Sequence, residues 1–180
     1  KLLSIAIPCY NSQDYMENCI ESLLVGGEEV EILIVDDGSS DRTAEIADAY
    51  ARKYPTIVKA IHQENGGHGD AVNAGLSQAS GVYFKVVDSD DWLAENALQV
   101  LCTIAAKTRS DIVSGNTLAV HPDGQVRSWE RRSRELFAAG TVVSGSTYFS
   151  RVMDCRCYVP MVYNYLYRRD FIEQNGFRFE

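Results

Sequence analysis

Proline is scarce in this chain (4 of 180 residues), and the five cysteines, Cys9, Cys19, Cys102, Cys155 and Cys157, are scattered and odd in number. Few prolines argue against a collagen-like or proline-rich linker segment. Cys155 and Cys157 are separated by one residue, not the two of a C-x-x-C metal or redox pair, so the thiols read as buried or unreactive and the setting as reducing. No apolar run reaches the roughly 18–20 residues of a membrane span, and no basic-then-apolar leader opens the chain. Positive charge is also short: 17 Lys and Arg stand against 25 Asp and Glu, a net charge of −8. Such a surface does not attract a nucleic-acid backbone. The densest basic stretch, Arg127, Arg131, Arg132 and Arg134, is interrupted by Glu130 and Glu135 and reads as a solvated face. A phosphate-bearing ligand would therefore need a divalent cation to neutralise it. A G-x-G-x-x-G fingerprint is missing too, which disfavours a dinucleotide site of the Rossmann type.

What is present is an apolar content of 46% with 23% charged residues, enough to exclude intrinsic disorder. A chain of this length buries roughly two-thirds of its unfolded surface and needs no staple. The expectation is one domain over residues 1–180, with no linker.

Two periods alternate along the first half. Residues 2–7 form a β-branched apolar run ended by Pro8, and residues 30–35 form another. Residues 57–61 and 82–87 predict two further strands, and residues 111–113 begin a fifth. Between them, helical spacing predicts helices over residues 14–24, 42–54, 70–79 and 93–107, the second capped by Ser40 or Asp41. Strand–helix alternation with short connections predicts an α/β fold, a mainly parallel central sheet covered by helices on both faces. Past residue 114 the pattern weakens. A hairpin over residues 117–129 turns at Pro122-Asp123-Gly124-Gln125. A helix near residues 145–152, a tyrosine-rich run over 162–167 and a short helix over 169–175, ended by Gly176, follow.

Ligands of an open parallel sheet bind beyond the carboxyl ends of its strands. Three such ends carry unusual polar residues: Pro8-Cys9-Tyr10-Asn11, Asp36-Asp37-Gly38-Ser39 and Asp88-Ser89-Asp90-Asp91. Five carboxylates gathered at one sheet edge repel unless a cation joins them or some turn away. Continued strand alternation would put Asp88 and Asp90 on one side, a hard-oxygen pair for Mg²⁺ or Mn²⁺ shared with ligand phosphates. Asp41 reads instead as a helix cap. Trp92 and Trp129 read as packing residues, and Tyr158, Tyr163, Tyr165 and Tyr167 as half-buried sheet residues or an acceptor groove. Three chemistries compete on these residues: a phospho-acceptor receiver domain using Asp37 and Asp88, a haloacid-type phosphatase using Asp88 and Asp90, and a sugar-nucleotide site. A receiver would require a Ser/Thr and Lys pair at later strand ends, and a phosphatase a downstream lysine and acidic pair. Neither is placed here.

Ser4-Ile5-Ala6-Ile7-Pro8-Cys9-Tyr10-Asn11 resembles the opening of the family 2 glycosyltransferases. Ile34-Val35-Asp36-Asp37-Gly38-Ser39-Ser40-Asp41, then Asn65-Gly66-Gly67 with Asn73-Ala74-Gly75, then Gly81-Val82-Tyr83-Phe84 leading to Asp88-Ser89-Asp90-Asp91, continue that resemblance over about residues 3–93. It implies a GT-A fold, a nucleotide-diphosphate sugar donor (a UDP-sugar foremost), Mn²⁺ or Mg²⁺, and transfer of a hexosyl group with inversion. It implies donor contacts from Pro8, Tyr10, Asn11, Asp37, Gly38, Asn73, Asp88 and Ser89, with Asp37 on the base and the metal on Asp90 and Asp88. It implies a saccharide or lipid-linked acceptor, as in cell-envelope polysaccharide synthesis. The setting would be cytoplasmic, and peripheral to the inner membrane face for a lipid-linked acceptor.

Residues 1–115 would then be the donor-binding part and 116–180 the start of the acceptor side. The family places its general base in an acidic pair following the segment that resembles residues 167–180, so the base is expected beyond Glu180. The chain then reads as truncated, and an inert sugar-nucleotide-binding module is the companion reading. His68, where relatives carry small residues and an arginine, stands between a phosphate or sugar contact and an exposed loop residue.

Overall fold

A computed structural model describes residues 1–115, 118–121, 123–128, 137–138, 140–155 and 164–180. In chain order the elements are β1 (Leu3–Cys9), α1 (Met16–Leu24), a 3₁₀ turn (Gly27–Glu29), β2 (Val30–Asp37), α2 (Thr43–Lys53), β3 (Val58–Gln63), α3 (His68–Gln78) and β4 (Tyr83–Val86). They continue with α4 (Ala97–Thr108), β5 (Ile112–Ser114), β6 (Leu118–Val120), β7 (Val126–Ser128), α5 (Gly145–Cys155), β8 (Tyr165–Arg168) and α6 (Arg169–Asn175).

Six strands form one sheet in the order β3-β2-β1-β4-β8-β5, and β6 and β7 form a separate antiparallel hairpin. The pairs β1–β2, β2–β3 and β1–β4 are parallel, as the alternating pattern predicts. Strand β8 enters antiparallel between β4 and β5.

The uninterrupted apolar strands follow from burial on both faces. On β1, Leu3, Ile5 and Ile7 point to one face and pack with Met16, Ile20 and Leu23 of α1 and Leu98 of α4. Ala6 points to the other face, where Leu33, Val35, Phe84 and Val86 meet Ala71 and Val72 of α3 and Ile172 of α6. Helix α3 sits close against the sheet because Gly75 has no Cβ: one added there would lie 2.7 Å from the Ala6 Cβ. At the left-handed end of α6, Gly176 closes the helix with φ +62.

Three sequence expectations shift. Helix α4 begins at Ala97 rather than residue 93, because Asn96 is left-handed (φ 63) and breaks the helical backbone before it; the Leu93 N–H donates to Ser22 Oγ at 3.2 Å. Residues 88–91 do not continue β4 but close a turn through Asp91 N–H to Asp88 C=O at 2.9 Å, so strand alternation does not govern Asp88 and Asp90. Trp92, expected to pack, is 51% exposed beside that turn. Trp129, Tyr158, Tyr163, Cys157 and Arg131, Arg132 and Arg134 lie outside the described residues, as do the side chains of Arg127 and Cys155.

Candidate functional site

The chain builds β1, β2 and β3 outward in one direction and then returns to add β4 on the far side of β1. The reversal leaves a crevice at the carboxyl ends of β1 and β4, where an open α/β sheet binds its ligands. A cleft of about 370 Å³ lies there. Pro8, Cys9, Tyr10, Ser12 and Tyr15 wall it from β1 and the segment after it, Asp37 from β2, and Ser89 from the turn after β4. Asn65, Gly67, His68 and Ala71 close it from the β3–α3 connection and the first turn of α3. Its size suits a small ligand.

Ser12 ties two strand ends together. Its buried hydroxyl accepts from the Tyr10 N–H at 3.2 Å and shares a hydrogen bond with Ser89 Oγ at 2.9 Å. Its own N–H donates to Thr43 Oγ1 at 2.7 Å. Asn11, left-handed at φ 51, locks the same segment to the β2 end: its N–H donates to Ser39 Oγ, and its Oδ1 accepts from the Ser40 N–H at 2.9 Å. Asn11 thus braces the rim and is not part of the wall. Gly38 has a similar role, since at φ +71 an added Cβ would meet the Asn65 nitrogen at 2.9 Å.

Three of the five strand-end carboxylates, Asp36, Asp37 and Asp88, take separate partners. Asp36 turns to His62, 3.2 Å from Nδ1, whose Nε2 is 3.1 Å from Asp48. Asp37 is buried and accepts from Gln63 Nε2 at 2.7 Å, the Gly66 N–H at 2.9 Å and the Gly67 N–H at 2.8 Å. It shapes the glycine loop and still borders the cleft. Asp88 Oδ1 lies 2.8 Å from His68 Nε2, and this carboxylate holds the imidazole above its ordinary pKa. Asp91 is pushed up by desolvation and by Asp90 and Asp88, with Lys85 opposing. Lys85, buried on β4, is lowered to about 8 by burial, which the same acidic turn partly offsets. Asp90 is exposed on the turn and makes no hydrogen bond or ion pair among the described residues. Burial pushes the Cys9 thiol up to about 12 and the Cys19 thiol higher still, so neither is a nucleophile at neutral pH.

The donor set decides what a cation would find. No group of three or more His, Cys, Asp or Glu side chains converges among the described residues. Asp88 and Asp90 are two hard carboxylates on one turn. That suits Mg²⁺ or Mn²⁺, which bind one or two carboxylates and take remaining oxygens from phosphates and water.

Of the residues the resemblance implicates, Pro8, Tyr10, Asp37 and Ser89 wall the cleft, and Asp88 reaches it through His68. Asn73 does not line the cleft. Its Nδ2 donates to the Phe179 carbonyl at 2.8 Å and its Oδ1 accepts from the Phe179 N–H at 3.1 Å. Ser12, Tyr15 and Asn65 were not foreseen. Tyr15 falls within the helix expected over residues 14–24, yet it precedes α1 and lines the cleft.

The comparisons agree with this geometry. The sequence profile of Glycosyl transferase family 2 matches residues 4–175. The uncharacterized glycosyltransferase YibD of Escherichia coli (strain K12) is 32% identical over 179 residues, spanning 98% of this chain and 51% of its own length. The uncharacterized glycosyltransferase EpsJ of Bacillus subtilis (strain 168) is 33% identical over 180 residues, 99% of this chain and 51% of its own. The crystal structure of S. aureus TarS 1–349 in complex with UDP-GlcNAc superposes on all of this chain and 49% of its own with a TM-score of 0.79 at 26% identity. The chain therefore spans about half the length of these relatives. The receiver and phosphatase readings are set aside by the extent of the match, and the chain belongs to glycosyl transferase family 2.

Proposed function

We propose that this chain is the donor-binding part of an inverting, metal-dependent glycosyltransferase that takes a UDP-sugar. The observation that carries the reading is the cleft at the strand reversal, where Asp37, His68 and Ser89 meet beside the Asp88–Asp90 turn. TarS, whose fold this chain shares, is known in complex with UDP-GlcNAc, which supports a nucleotide-sugar in that position.

In this reading the nucleoside enters between Tyr10 and the glycine loop. The Asp37 carboxylate, with three hydrogen bonds accepted, has one acceptor position left for the imide N–H of a uracil. The diphosphate lies toward Ser89 and the acidic turn, beside the His68 imidazole. Asp90 and Asp88 would hold Mn²⁺ or Mg²⁺, which when bound supplies Lewis-acid stabilisation of the departing diphosphate. The acceptor hydroxyl attacks the anomeric carbon from the face opposite the leaving group and gives its proton to a carboxylate, expected beyond Glu180. The acceptor is a saccharide or lipid-linked saccharide; no helix among the described residues is long and apolar enough to cross a membrane. A cytoplasmic site at the inner membrane face fits such an acceptor.

Calorimetric titration of UDP with Mn²⁺, and again with EDTA, tests the site. Micromolar binding that the chelator abolishes is expected, and Asp90→Ala should abolish the same metal-dependent part. Binding by that variant equal to wild type would remove Asp90 from the metal site. UDP binding unaffected by EDTA would remove the metal from donor binding.

A further inference from the structure

Phe179 and Glu180 lie against the helix that walls the donor cleft. Asn73 uses both ends of its amide on a single residue, Nδ2 on the Phe179 carbonyl and Oδ1 on the Phe179 N–H, across 106 positions of sequence. Four residues earlier on α3, a Cβ at Gly69 would meet the Glu180 carbonyl carbon at 2.5 Å, its Cα at 2.7 Å and the Phe179 oxygen at 2.9 Å. The Glu180 backbone therefore occupies the space a side chain would fill. The Phe179 ring completes the anchor, 6.0 Å from the rings of both Phe84 and Tyr167. Gly69 follows His68 directly and is two residues from Gly67 and Ala71, all three walls of the cleft.

We propose that Asn73 and Gly69 are positioning residues for sugar transfer, strapping Phe179 and Glu180 to the first two turns of α3 so that this carboxyl-terminal segment is fixed relative to the helix that walls the donor cleft. This rests on the donor reading above and extends it to the acceptor side. Asn73 reads only backbone, so the docking is indifferent to the side chain at 179 except for the packing of its ring. The strap and the nucleotide use opposite sides of one helical turn. Its loss should therefore change turnover and leave the nucleotide site intact. Misplacing a reacting group by about 1 Å costs on the order of 100-fold in rate.

The test uses the full natural protein with UDP-GlcNAc as donor and water as acceptor. UDP release gives kcat, UDP titration gives the nucleotide affinity, and hydrogen exchange reports the Phe179 amide. Asn73→Ala should lose Phe179 protection and lower kcat by roughly 100-fold, with UDP affinity unchanged. Gly69→Ala retains the Asn73 amide and should give the same split, which keeps the question open to decision if the first variant does not fold. An unchanged kcat with Phe179 protection lost would overturn the proposal, and so would UDP affinity that falls in step with kcat. A wild-type protein that binds no UDP, or releases none from any UDP-sugar offered, would overturn the donor reading itself and this inference with it.

Discussion

Three hydrogen bonds converge on the Asp37 carboxylate, two of them from the backbone of the glycine loop. Converting it to an amide puts an N–H₂ against one of those N–H donors, at a cost of about 1–3 kcal/mol for a buried group left unpaired. Asp37→Asn should therefore lower the melting temperature and weaken UDP and UDP-sugar alike, by about tenfold or more at 1.4 kcal/mol per decade. Weakening confined to the sugar-nucleotide would show that Asp37 is not on the base. His68 makes a second prediction. Its pKa is raised chiefly by the hydrogen bond to Asp88, against some burial. A raised folded pKa means that the stabilisation is complete below the ordinary value of 6.5 and disappears as pH rises through the folded value. NMR titration should find His68 above that value in the wild type and back near it in Asp88→Asn. An unmoved titration would dissolve the pair. Because the imidazole is half exposed, the accompanying stability change should be small.

At the level of elements, the amino end of the sheet is held by a polar latch. Glu31, 2% exposed on β2, accepts from Ser4 Oγ, from the Ser80 N–H and hydroxyl, and from Lys59 at 3.1 Å. These bonds outweigh the burial that opposes them and pull its pKa from 4.5 down to about 2. For a depressed carboxylate the stability is present above the unfolded value and is lost as pH falls through the folded one. The urea midpoint of Glu31→Gln should thus lie well below wild type at pH 7, and the gap should close as pH falls from about 4.5 to about 2. A constant gap across that window would mean that shape, not charge, matters at Glu31. The latch pins residues 79–81 where α3 hands over to β4, so it sets where the acidic turn begins. Nothing in the sequence marked Glu31: a lone glutamate in an apolar run is visible, but its partners lie 27 to 49 residues away. The α4 boundary was hidden too. Leu93 fits the helical period, but Asn96, left-handed at φ 63, breaks the backbone between it and Ala97.

The whole molecule is more interleaved than its linear order suggests. A division at residue 115 separates donor and acceptor sides by sequence, yet β8 pairs with β4 on one side and β5 on the other. Leu166 and Ile172, both buried, close the two faces of the core. Removing residues 116–180 would expose the apolar faces they cover, at about 1.5–3 kcal/mol for each such side chain, and break two strand pairings. Against a total stability of about 5–15 kcal/mol, that loss is large. Residues 1–115 alone should therefore melt without a sharp transition and bind a hydrophobic dye, whereas residues 1–180 should melt cooperatively. A cooperative melt of the shorter piece would show that the donor side is a domain in its own right.

The amino-acid sequence by itself determined the alternation of strands and helices, the parallel half of the sheet, the polar strand ends and the family. Those features rest on local periodicity, on turn residues and on short motifs, all expressed within a few residues of one another. The tertiary structure decided which partner each polar group takes. It brought His68 to Asp88, gave Asp37 to the glycine loop, and bound Asn73 to the backbone of Phe179. It also set β8 between β4 and β5. These pairings span 20 to 106 residues for the side chains, and a side chain's chemistry names what it is able to bond, while only the packed sheet and helices determine which partner comes within 3 Å.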